Sequence, residues 1–373
     1  MKKFAFIFLI ILMISSCCFG LEINSPSAIL IENETGRILY QKYIYSKAFP
    51  ASTTKIMTAI LTLEKLQLDE KIVVSQTAVN AVPPGGSNVA LQPGEEISVR
   101  DLLRGLLIVS GNETANVLAE RISGSTEEFA KLMNQRAKEL GCKNSHFVNA
   151  NGLHDDNHYS CAYDLVTLYQ YAYSNFPDFK SIIAEKTFSL PDSQIYTKSD
   201  RTFNNTNKLI SDQSKYYYEY CTGGKTGYTK EAKNCLVSSA TKDGITLFAC
   251  ILGATQDDSN NSYRYEDTIA LFDYGFSQIK RKDIIKENDV VRTIQILNAK
   301  KDNNNLILLA ENTINVPTLV ENYEQTYEPQ LLFSGDVLAP ISSRRQNWNR
   351  NIYRWWNWIQ NKFNRRQFHW RKA

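Results

Sequence analysis

Residues 50–63 read Pro-Ala-Ser-Thr-Thr-Lys-Ile-Met-Thr-Ala-Ile-Leu-Thr-Leu. Apolar side chains recur at helical spacing at Ile56, Ile60 and Leu63, which predicts a helix that begins just after Pro50. The chain around this helix has 373 residues, of which 43% are hydrophobic and 22% are charged. That length and composition are typical of a globular protein with one large domain and a smaller one.

The start of this helix carries a candidate nucleophile, Ser52, three residues before Lys55. Residues at this spacing share a helix face, so the lysine amine can reach the serine hydroxyl. A serine hydroxyl is a poor nucleophile until a neighbour takes its proton, and a lysine can take it if burial or a nearby positive charge lowers the pKa of its amine. A Ser-x-x-Lys pattern is a weak signal alone, because many helices begin this way with a solvated lysine.

Two further motifs follow, Ser110-Gly-Asn112 at a break between helical segments and Lys225-Thr226-Gly227 before a β-rich segment. The first offers a hydroxyl that can relay a proton and an amide that can hold a substrate backbone. The second offers a lysine and a hydroxyl for a substrate carboxylate, and its glycine leaves room for substrate along the strand edge. Each motif alone is also explained by an ordinary turn. Together, about 55 and about 113 residues apart, they form the trio found in penicillin-binding proteins and class A β-lactamases.

The chain resembles the low-molecular-mass penicillin-binding proteins, serine D-Ala-D-Ala carboxypeptidases of peptidase family S11. The likeness covers about residues 23–280. Beyond the trio, it rests on segments with the family's local sequence, which are Phe147–Leu153, His154–Asp164, Gly224–Thr229 and Arg264–Thr268.

The resemblance implies a role for each residue of the first two motifs. Ser52 would attack the carbonyl between the two D-alanines of a peptidoglycan stem peptide and form an acyl-enzyme, with Lys55 as its base. Ser110 would pass the proton to the departing D-alanine, and Asn112 would hold the substrate. The resemblance also implies covalent inhibition by β-lactams, and neither a cofactor nor a metal.

The resemblance likewise places the rest of the site. Lys225 and Thr226 would position the terminal carboxylate, assisted by Arg264. The backbone N–H groups of Ser52 and Tyr228 would form an oxyanion hole, in which each donor contributes about 3–4 kcal/mol in comparable acyl-transfer enzymes.

The order of elements predicts an α+β fold, with one antiparallel sheet flanked by helices as in β-lactamases and D,D-peptidases. We expect a hairpin over 28–45, a block of helices that includes 164–186, an antiparallel strand pair and a closing helix. The pair is predicted at Cys235–Ala240 and Ile245–Gly253, and the closing helix at Tyr265–Phe276.

We expect four parts: a signal peptide at 1–20, a catalytic domain at 21–280, a small β-rich domain at 281–340 and a basic C-terminal amphipathic helix within 341–373. Lys2 and Lys3 precede an apolar run of signal-peptide length, which predicts export. Cleavage after Gly20 is favoured, and lipidation at Cys17 is the alternative. The β-rich domain has strand-like runs at Val290–Leu297, Leu306–Ala310 and Ile314–Val320.

The last 33 residues hold nine Lys or Arg, no Asp or Glu, and all five tryptophans of the chain. One helical face would carry aromatic and aliphatic side chains, namely Trp348, Ile352, Trp355, Ile359 and Phe363. A basic helix with such a face favours binding to an anionic membrane surface. Nucleic acid is disfavoured as a partner because the chain is predicted to be exported.

Cysteine and histidine residues point to no metal site or disulfide framework. Without the predicted signal peptide the cysteine number is odd, and Cys235 and Cys250 lie in apolar runs typical of small buried hydrophobic side chains. His154 and His158 flank two aspartates, which a polar loop explains without a metal.

Rival functions remain within the same fold. A β-lactamase would need a base for deacylation, and the chain has no Glu-x-x-Leu-Asn segment of the class A type. A D,D-endopeptidase or a transpeptidase would use the same acyl-enzyme. A non-catalytic wall-binding protein would not need the intact Ser52, Lys55, Ser110 and Lys225.

Overall fold

The computed structural model describes residues 21–197, 201–257, 259–295, 297 and 305–324. Its strands, in chain order, are β1 Ser27–Glu32, β2 Ile38–Lys42, β3 Lys71–Val73, β4 Glu96–Ser98, β5 Thr187–Ser189, β6 Thr202–Asn204, β7 Cys221–Thr229, β8 Lys233–Lys242, β9 Ile245–Ala254, β10 Ile279–Ile285, β11 Val290–Gln295, β12 Asn305–Leu309 and β13 Ile314–Leu319. Its α-helices are α1 Lys55–Lys65, α2 Gln76–Asn80, α3 Val99–Arg104, α4 Asn112–Ser123, α5 Thr126–Glu139, α6 Ala162–Asn175, α7 Pro177–Ile183 and α8 Tyr263–Gln278. Short 3₁₀ turns occupy Ala51–Thr54, Lys208–Ile210 and Val320–Asn322, and a π-helical turn occupies Gly105–Val109.

A five-stranded antiparallel sheet in the order β2-β1-β9-β8-β7 forms the centre of the fold. The predicted hairpin and the predicted strand pair are both in it, and α8 is the predicted closing helix. The helices α1 to α7 are all inserted between β2 and β7. The predicted α+β class is therefore confirmed, whereas the predicted C-terminal helix lies outside the described residues.

The central strands β1 and β9 are buried on both faces, which explains why they are apolar almost throughout. In β1, Ile29 and Ile31 pack into the core formed with the inserted helices, whereas Ala28 and Leu30 pack into a second core with α8. Successive side chains of a strand point to opposite faces, so both sets must be apolar when both faces are covered. The three sequence motifs lie on the side of the inserted helices and at the sheet edge, where β7 is the last strand.

The prediction of helical structure over 164–186 is confirmed for most of the segment, which two separate helices occupy. The first, α6, ends at Asn175 and the second, α7, begins at Pro177. Phe176 between them is extended, since a residue before proline is disfavoured in the helical region. Residues Thr187–Ser189 then form β5.

Beyond α8 the strands pair as two hairpin-like units, β10 with β13 and β11 with β12. The three strands predicted in this region are present. A fourth strand, β10, was not predicted, and it crosses the predicted boundary between the catalytic domain and the β-rich domain. The boundary at 280 and 281 stays a prediction. The predicted signal peptide, lipidation site and basic tail lie outside the described residues. Among the helices that are described, none has the length and apolar character needed to cross a membrane.

Candidate active site

Ser52 lies in the 3₁₀ turn Ala51–Thr54 that leads directly into α1, and Lys55 is the first residue of that helix. The Nζ atom of Lys55 lies 2.9 Å from the Oγ atom of Ser52. The turn is held by Pro50, whose carbonyl accepts from the N–H and the hydroxyl of Thr53. The predicted contact between the two side chains of the Ser-x-x-Lys motif is therefore present, although the local helix is 3₁₀ rather than α.

The amine of Lys55 is fully buried and has three hydrogen-bond partners. It donates to the side-chain Oδ1 of Asn112 at 2.8 Å and to the backbone carbonyl of Asn151 at 2.7 Å, besides its contact with Ser52. Both oxygens can only accept, so they take two N–H bonds of the amine. In the neutral amine the remaining position is a lone pair, and it faces the Ser52 hydroxyl. This arrangement can accept the serine proton.

The surroundings of Lys55 favour that neutral form. Burial lowers the pKa of its amine well below the usual value, and the positive charge of Lys225 lowers it further. The carboxylate of Glu113 opposes this in part. The two causes expected from the sequence, burial and a nearby positive charge, are thus both present.

Ser110 lies where the π-helical turn Gly105–Val109 ends and α4 begins. Its backbone is left-handed, with φ of 71°, and the N–H groups of Ser110 and Gly111 both donate to the carbonyl of Gly105. A left-handed conformation is costly for a residue other than glycine and often marks a functional site. The strained turn buries Ser110 and starts α4 at Asn112, which contacts Lys55.

The third motif lies on β7 at the sheet edge. Lys225 is fully buried and donates to the carbonyl of Thr226 at 2.9 Å. Burial, and secondly the charge of Arg264, lower the pKa of its amine to about 7. Arg264 donates to the carbonyl of Gly227 at 3.3 Å and lies 4.7 Å from the ring centre of Tyr265. Its Nε is buried without a hydrogen-bond partner among the described residues.

Gly227 brings this strand against the candidate nucleophile. A Cβ atom at Gly227 would lie 2.9 Å from the carbonyl oxygen of Pro50 and 3.0 Å from the backbone nitrogen of Ser52. A side chain is therefore excluded here by close packing against the turn. The next residue, Tyr228, has a side chain that is 64% exposed. The Ser52 turn and the end of β7 that carries Tyr228 are thus neighbours. These are the two segments whose backbone N–H groups are expected to form an oxyanion hole.

Segment 149–152 also contributes to this site, and its part was not predicted from the sequence. The carbonyl of Asn151 binds Lys55, and its side chain is held by Asn116 and by the N–H of Leu153. Gly152 has φ of +83°, and a Cβ atom there would lie 1.9 Å from the carbonyl oxygen of Ala51. The family-like sequence of Phe147–Leu153 was the available signal, but it does not say which atoms are used.

His158 holds the same segment against the start of α1. Its Nδ1 accepts from the N–H of Val148 at 3.0 Å, so in the neutral ring its Nε2 donates to the Thr54 hydroxyl at 2.8 Å. Burial lowers the pKa of His158 to about 4, which keeps the ring neutral at pH 7. In the part of the chain that the structure describes, no three His, Cys, Asp or Glu side chains are grouped so as to hold a metal ion.

The cysteines of the described residues are free thiols. Cys235 and Cys250 are fully buried in the sheet, which confirms their interpretation as small hydrophobic side chains. Burial raises the pKa of the Cys235 thiol to about 11, so it stays protonated at neutral pH.

Comparison with known proteins gives a consistent result. The family model for D-alanyl-D-alanine carboxypeptidases, Peptidase_S11, matches residues 15–256. The D-alanyl-D-alanine carboxypeptidase DacF of Bacillus subtilis is 37% identical over 285 residues, which are 74% of this chain and 69% of DacF. The D-alanyl-D-alanine carboxypeptidase DacC of Escherichia coli is 30% identical over 340 residues, which are 86% of this chain and 80% of DacC.

Solved structures agree with the fold. The D-alanyl-D-alanine carboxypeptidase DacD of Francisella tularensis superposes with a TM-score of 0.65 at 28% identity, covering 86% of this chain and 87% of that one. The Streptomyces K15 DD-transpeptidase superposes with a TM-score of 0.62 at 32% identity, covering 69% of this chain and 98% of that one. Proteins of this family act on peptidoglycan at the cell envelope and bind β-lactams. From its sequence, its fold and these likenesses, the chain belongs to the D-alanyl-D-alanine carboxypeptidase family, the serine hydrolases of peptidase family S11.

Proposed function

We propose that this chain is a serine D,D-carboxypeptidase that removes the terminal D-alanine of peptidoglycan stem peptides, with Ser52 as its nucleophile. The observation that carries the proposal is the buried Lys55 amine, 2.9 Å from the Ser52 hydroxyl and held in place by two further acceptors. Burial and the charge of Lys225 lower the pKa of this amine well below its usual value and so favour its neutral form, and a neutral amine is the base that a serine nucleophile requires.

The first half of the reaction is acylation. Lys55 takes the hydroxyl proton as the Ser52 oxygen attacks the carbonyl between the two D-alanines. The C–N bond then breaks, Ser110 passes a proton to the departing D-alanine nitrogen, and the acyl group stays on Ser52 as an ester. Water attacks this ester in the second half, releases the shortened peptide and restores the serine.

Binding of the substrate uses the third motif and the turn opposite it. Lys225, Thr226 and Arg264 supply positive charge and a hydroxyl for the terminal carboxylate, and the Asn112 amide holds the peptide. The backbone N–H groups of Ser52 and Tyr228 stabilise the oxyanion. The close packing of Gly227 on the Ser52 turn supports this assignment, because it leaves little space between the two segments.

The experiment that tests the proposal measures D-alanine release from a pentapeptide ending in D-Ala-D-Ala. We compare the chain from residue 21 with its Ser52→Ala variant. A control variant, Ser46→Ala, removes an exposed serine hydroxyl from the segment that precedes α1 and should keep full activity. Release by the parent and the control, but not by Ser52→Ala, is expected. Release by Ser52→Ala would overturn the nucleophile assignment.

The same assay separates the rival functions. A D,D-endopeptidase would release nothing from the pentapeptide but would cut cross-linked stem peptides. A β-lactamase would turn over penicillin rapidly instead of remaining acylated, and a wall-binding relative would bind peptidoglycan without acylation by penicillin.

We also propose that the protein is exported by residues 1–20 and associates with the outer face of the cytoplasmic membrane through residues 341–373. The excess of Arg and the tryptophans of that segment support an anionic lipid surface as the partner, rather than nucleic acid. A chain that ends at residue 340 should lose binding to anionic vesicles and keep its activity. Continued binding would point instead to lipidated Cys17 or an uncleaved signal peptide.

A further inference from the structure

The residue Thr206 touches three parts of the candidate active site at once. Its N–H donates to the carbonyl of Ile108 at 3.1 Å, two residues before Ser110. Its carbonyl accepts from the Tyr265 hydroxyl at 3.0 Å, next to Arg264. Its hydroxyl lies 2.7 Å from the hydroxyl of Thr226. No assignment made from the sequence includes this residue.

The two asparagines beside Thr206 fix its backbone. Asn205 donates its side-chain amide to the carbonyl of Glu185 at 2.9 Å, and Asn207 accepts from the N–H of Leu209 at 3.1 Å. Both asparagine side chains are buried. The Thr206 hydroxyl therefore stands at a fixed position beside Thr226 and not on a freely moving loop.

The direction of the hydrogen bond between the two hydroxyls matters for the substrate. In this structure Thr226 donates its proton to Thr206. A carboxylate can only accept hydrogen bonds, and a threonine hydroxyl has one proton to give. Thr226 can donate to a substrate carboxylate and keep its bond to Thr206 only if that bond reverses, so that Thr206 becomes the donor and Thr226 the acceptor. A hydroxyl proton rotates, and the reversal needs no movement of the backbone.

We infer that Thr206 is a positioning residue that aims the Thr226 hydroxyl at the terminal carboxylate of the substrate. On binding, Thr206 donates to Thr226 and Thr226 donates to the carboxylate, which gives a chain of two hydrogen bonds that ends on a charge. Hydrogen bonds in such a chain polarise and strengthen one another. The inference rests on the proposed function, because it needs Thr226 to face the substrate carboxylate.

This role has a signature that a purely structural role lacks. Loss of the Thr206 hydroxyl should slow acylation by benzylpenicillin, which carries a carboxylate, and should hardly affect acylation by its methyl ester, which does not. A residue that merely supported the fold would alter both reactions alike. The comparison is made within one variant, so differences in the active fraction of each preparation cancel.

The experiment compares Ser52 acylation rates by both compounds in the parent chain, Thr206→Val, Thr206→Ser and Thr62→Val. Thr62→Val is the matched control, because it removes a buried threonine hydroxyl that donates to the carbonyl of Thr58 one turn earlier in α1. We expect Thr206→Val to slow the reaction with the acid about fivefold to tenfold, as for loss of one hydrogen bond between neutral groups, and to leave the ester rate unchanged. Thr206→Ser and Thr62→Val should behave as the parent.

Equal slowing with acid and ester, or no slowing with the acid, overturns the inference. So does a Thr206→Ser variant as slow as Thr206→Val, because serine keeps the hydroxyl. Failure of the parent chain to be acylated by either compound would instead refute the proposed function itself. The two failures are therefore distinguishable in the same set of measurements.

Discussion

Lys225 lies close enough to Lys55 for its positive charge to lower the pKa of the Lys55 amine. Both amines are fully buried, and they come from different elements, the edge strand β7 and the start of α1. A positive charge on both buried amines at the same time is unfavourable, because the two charges repel each other. It favours a state in which Lys55 is neutral and available as a base.

This pairing predicts a pH shift in the variant Lys225→Met. The active form of Lys55 is neutral, so acylation should rise as the pH increases through the pKa of Lys55. Removing a repelling positive charge raises that pKa, so the rise in acylation should move to higher pH. The measurement is the pH dependence of acylation by the methyl ester of benzylpenicillin, normalised to its own maximum. A rise at unchanged or lower pH would contradict the coupling.

Gly152 should tolerate no larger residue. Gly152→Ala places a Cβ atom 1.9 Å from the carbonyl oxygen of Ala51, whereas Gly141→Ala, at nearly the same φ, meets nothing within 4 Å. The control should cost about 1–2 kcal/mol of unfolding free energy, the cost of a left-handed alanine. Gly152→Ala should lose at least twice that, and should also lose penicillin acylation. Equal losses, measured by denaturant unfolding, would refute the predicted clash.

The buried ion pair between Glu95 and Arg201 predicts a large loss of stability on neutralising one partner. The two groups are 2.6 Å apart, and their side chains are 0% and 2% exposed. Glu95→Gln leaves the Arg201 charge buried and unpaired, which costs about 3–5 kcal/mol. The matched control is Glu128→Gln, because Glu128 forms an exposed pair with Lys131 and should matter by less than about 1 kcal/mol. Similar losses in both variants would contradict this expectation.

His158 predicts that the fold weakens between pH 6.5 and pH 4. Its pKa is about 4 in the folded chain against 6.5 for an unperturbed histidine, so the unfolded chain binds the proton first as the pH falls. The stability that the neutral ring contributes is present above pH 6.5 and is lost progressively towards pH 4, by about 3 kcal/mol in total. His158→Gln should therefore show a flatter dependence of unfolding free energy on pH, and His146→Gln, which changes an exposed ring, should follow the parent. A parent curve that is flat over this range would be the contrary result.

Much of the fold and the side-chain chemistry could be predicted from residue types and spacing. Ser52 and Lys55 had to meet because three residues make about one helical turn, and the strand pair around Lys242-Asp-Gly244 followed from its turn residues. The helix break at Phe176 was not predicted, although Pro177 disfavours a helical conformation for the residue before it.

The remaining parts of the site could not be predicted, because they depend on backbone atoms brought together from distant segments. Any residue type supplies a carbonyl, so nothing in the sequence marks the carbonyl of Asn151 as a partner of Lys55. The same holds for the contact of Gly227 with the Ser52 turn and for the three bonds of Thr206. Such contacts are set by the packing of the sheet against the inserted helices and become visible only in three dimensions.

The position of β7 as the last strand of the sheet has a consequence for substrate selection. An extended peptide that pairs with this strand is bound through hydrogen bonds to its main chain, as in other complexes where a peptide adds a strand to a sheet. Side chains along such a peptide alternate between the two faces of the sheet, so every second one points away from the face that the inserted helices cover. The enzyme would then be strict about the end of the stem peptide, where the carboxylate is bound, and permissive about residues further from it. One chain of this kind would suit cell walls whose stem peptides differ in their third residue.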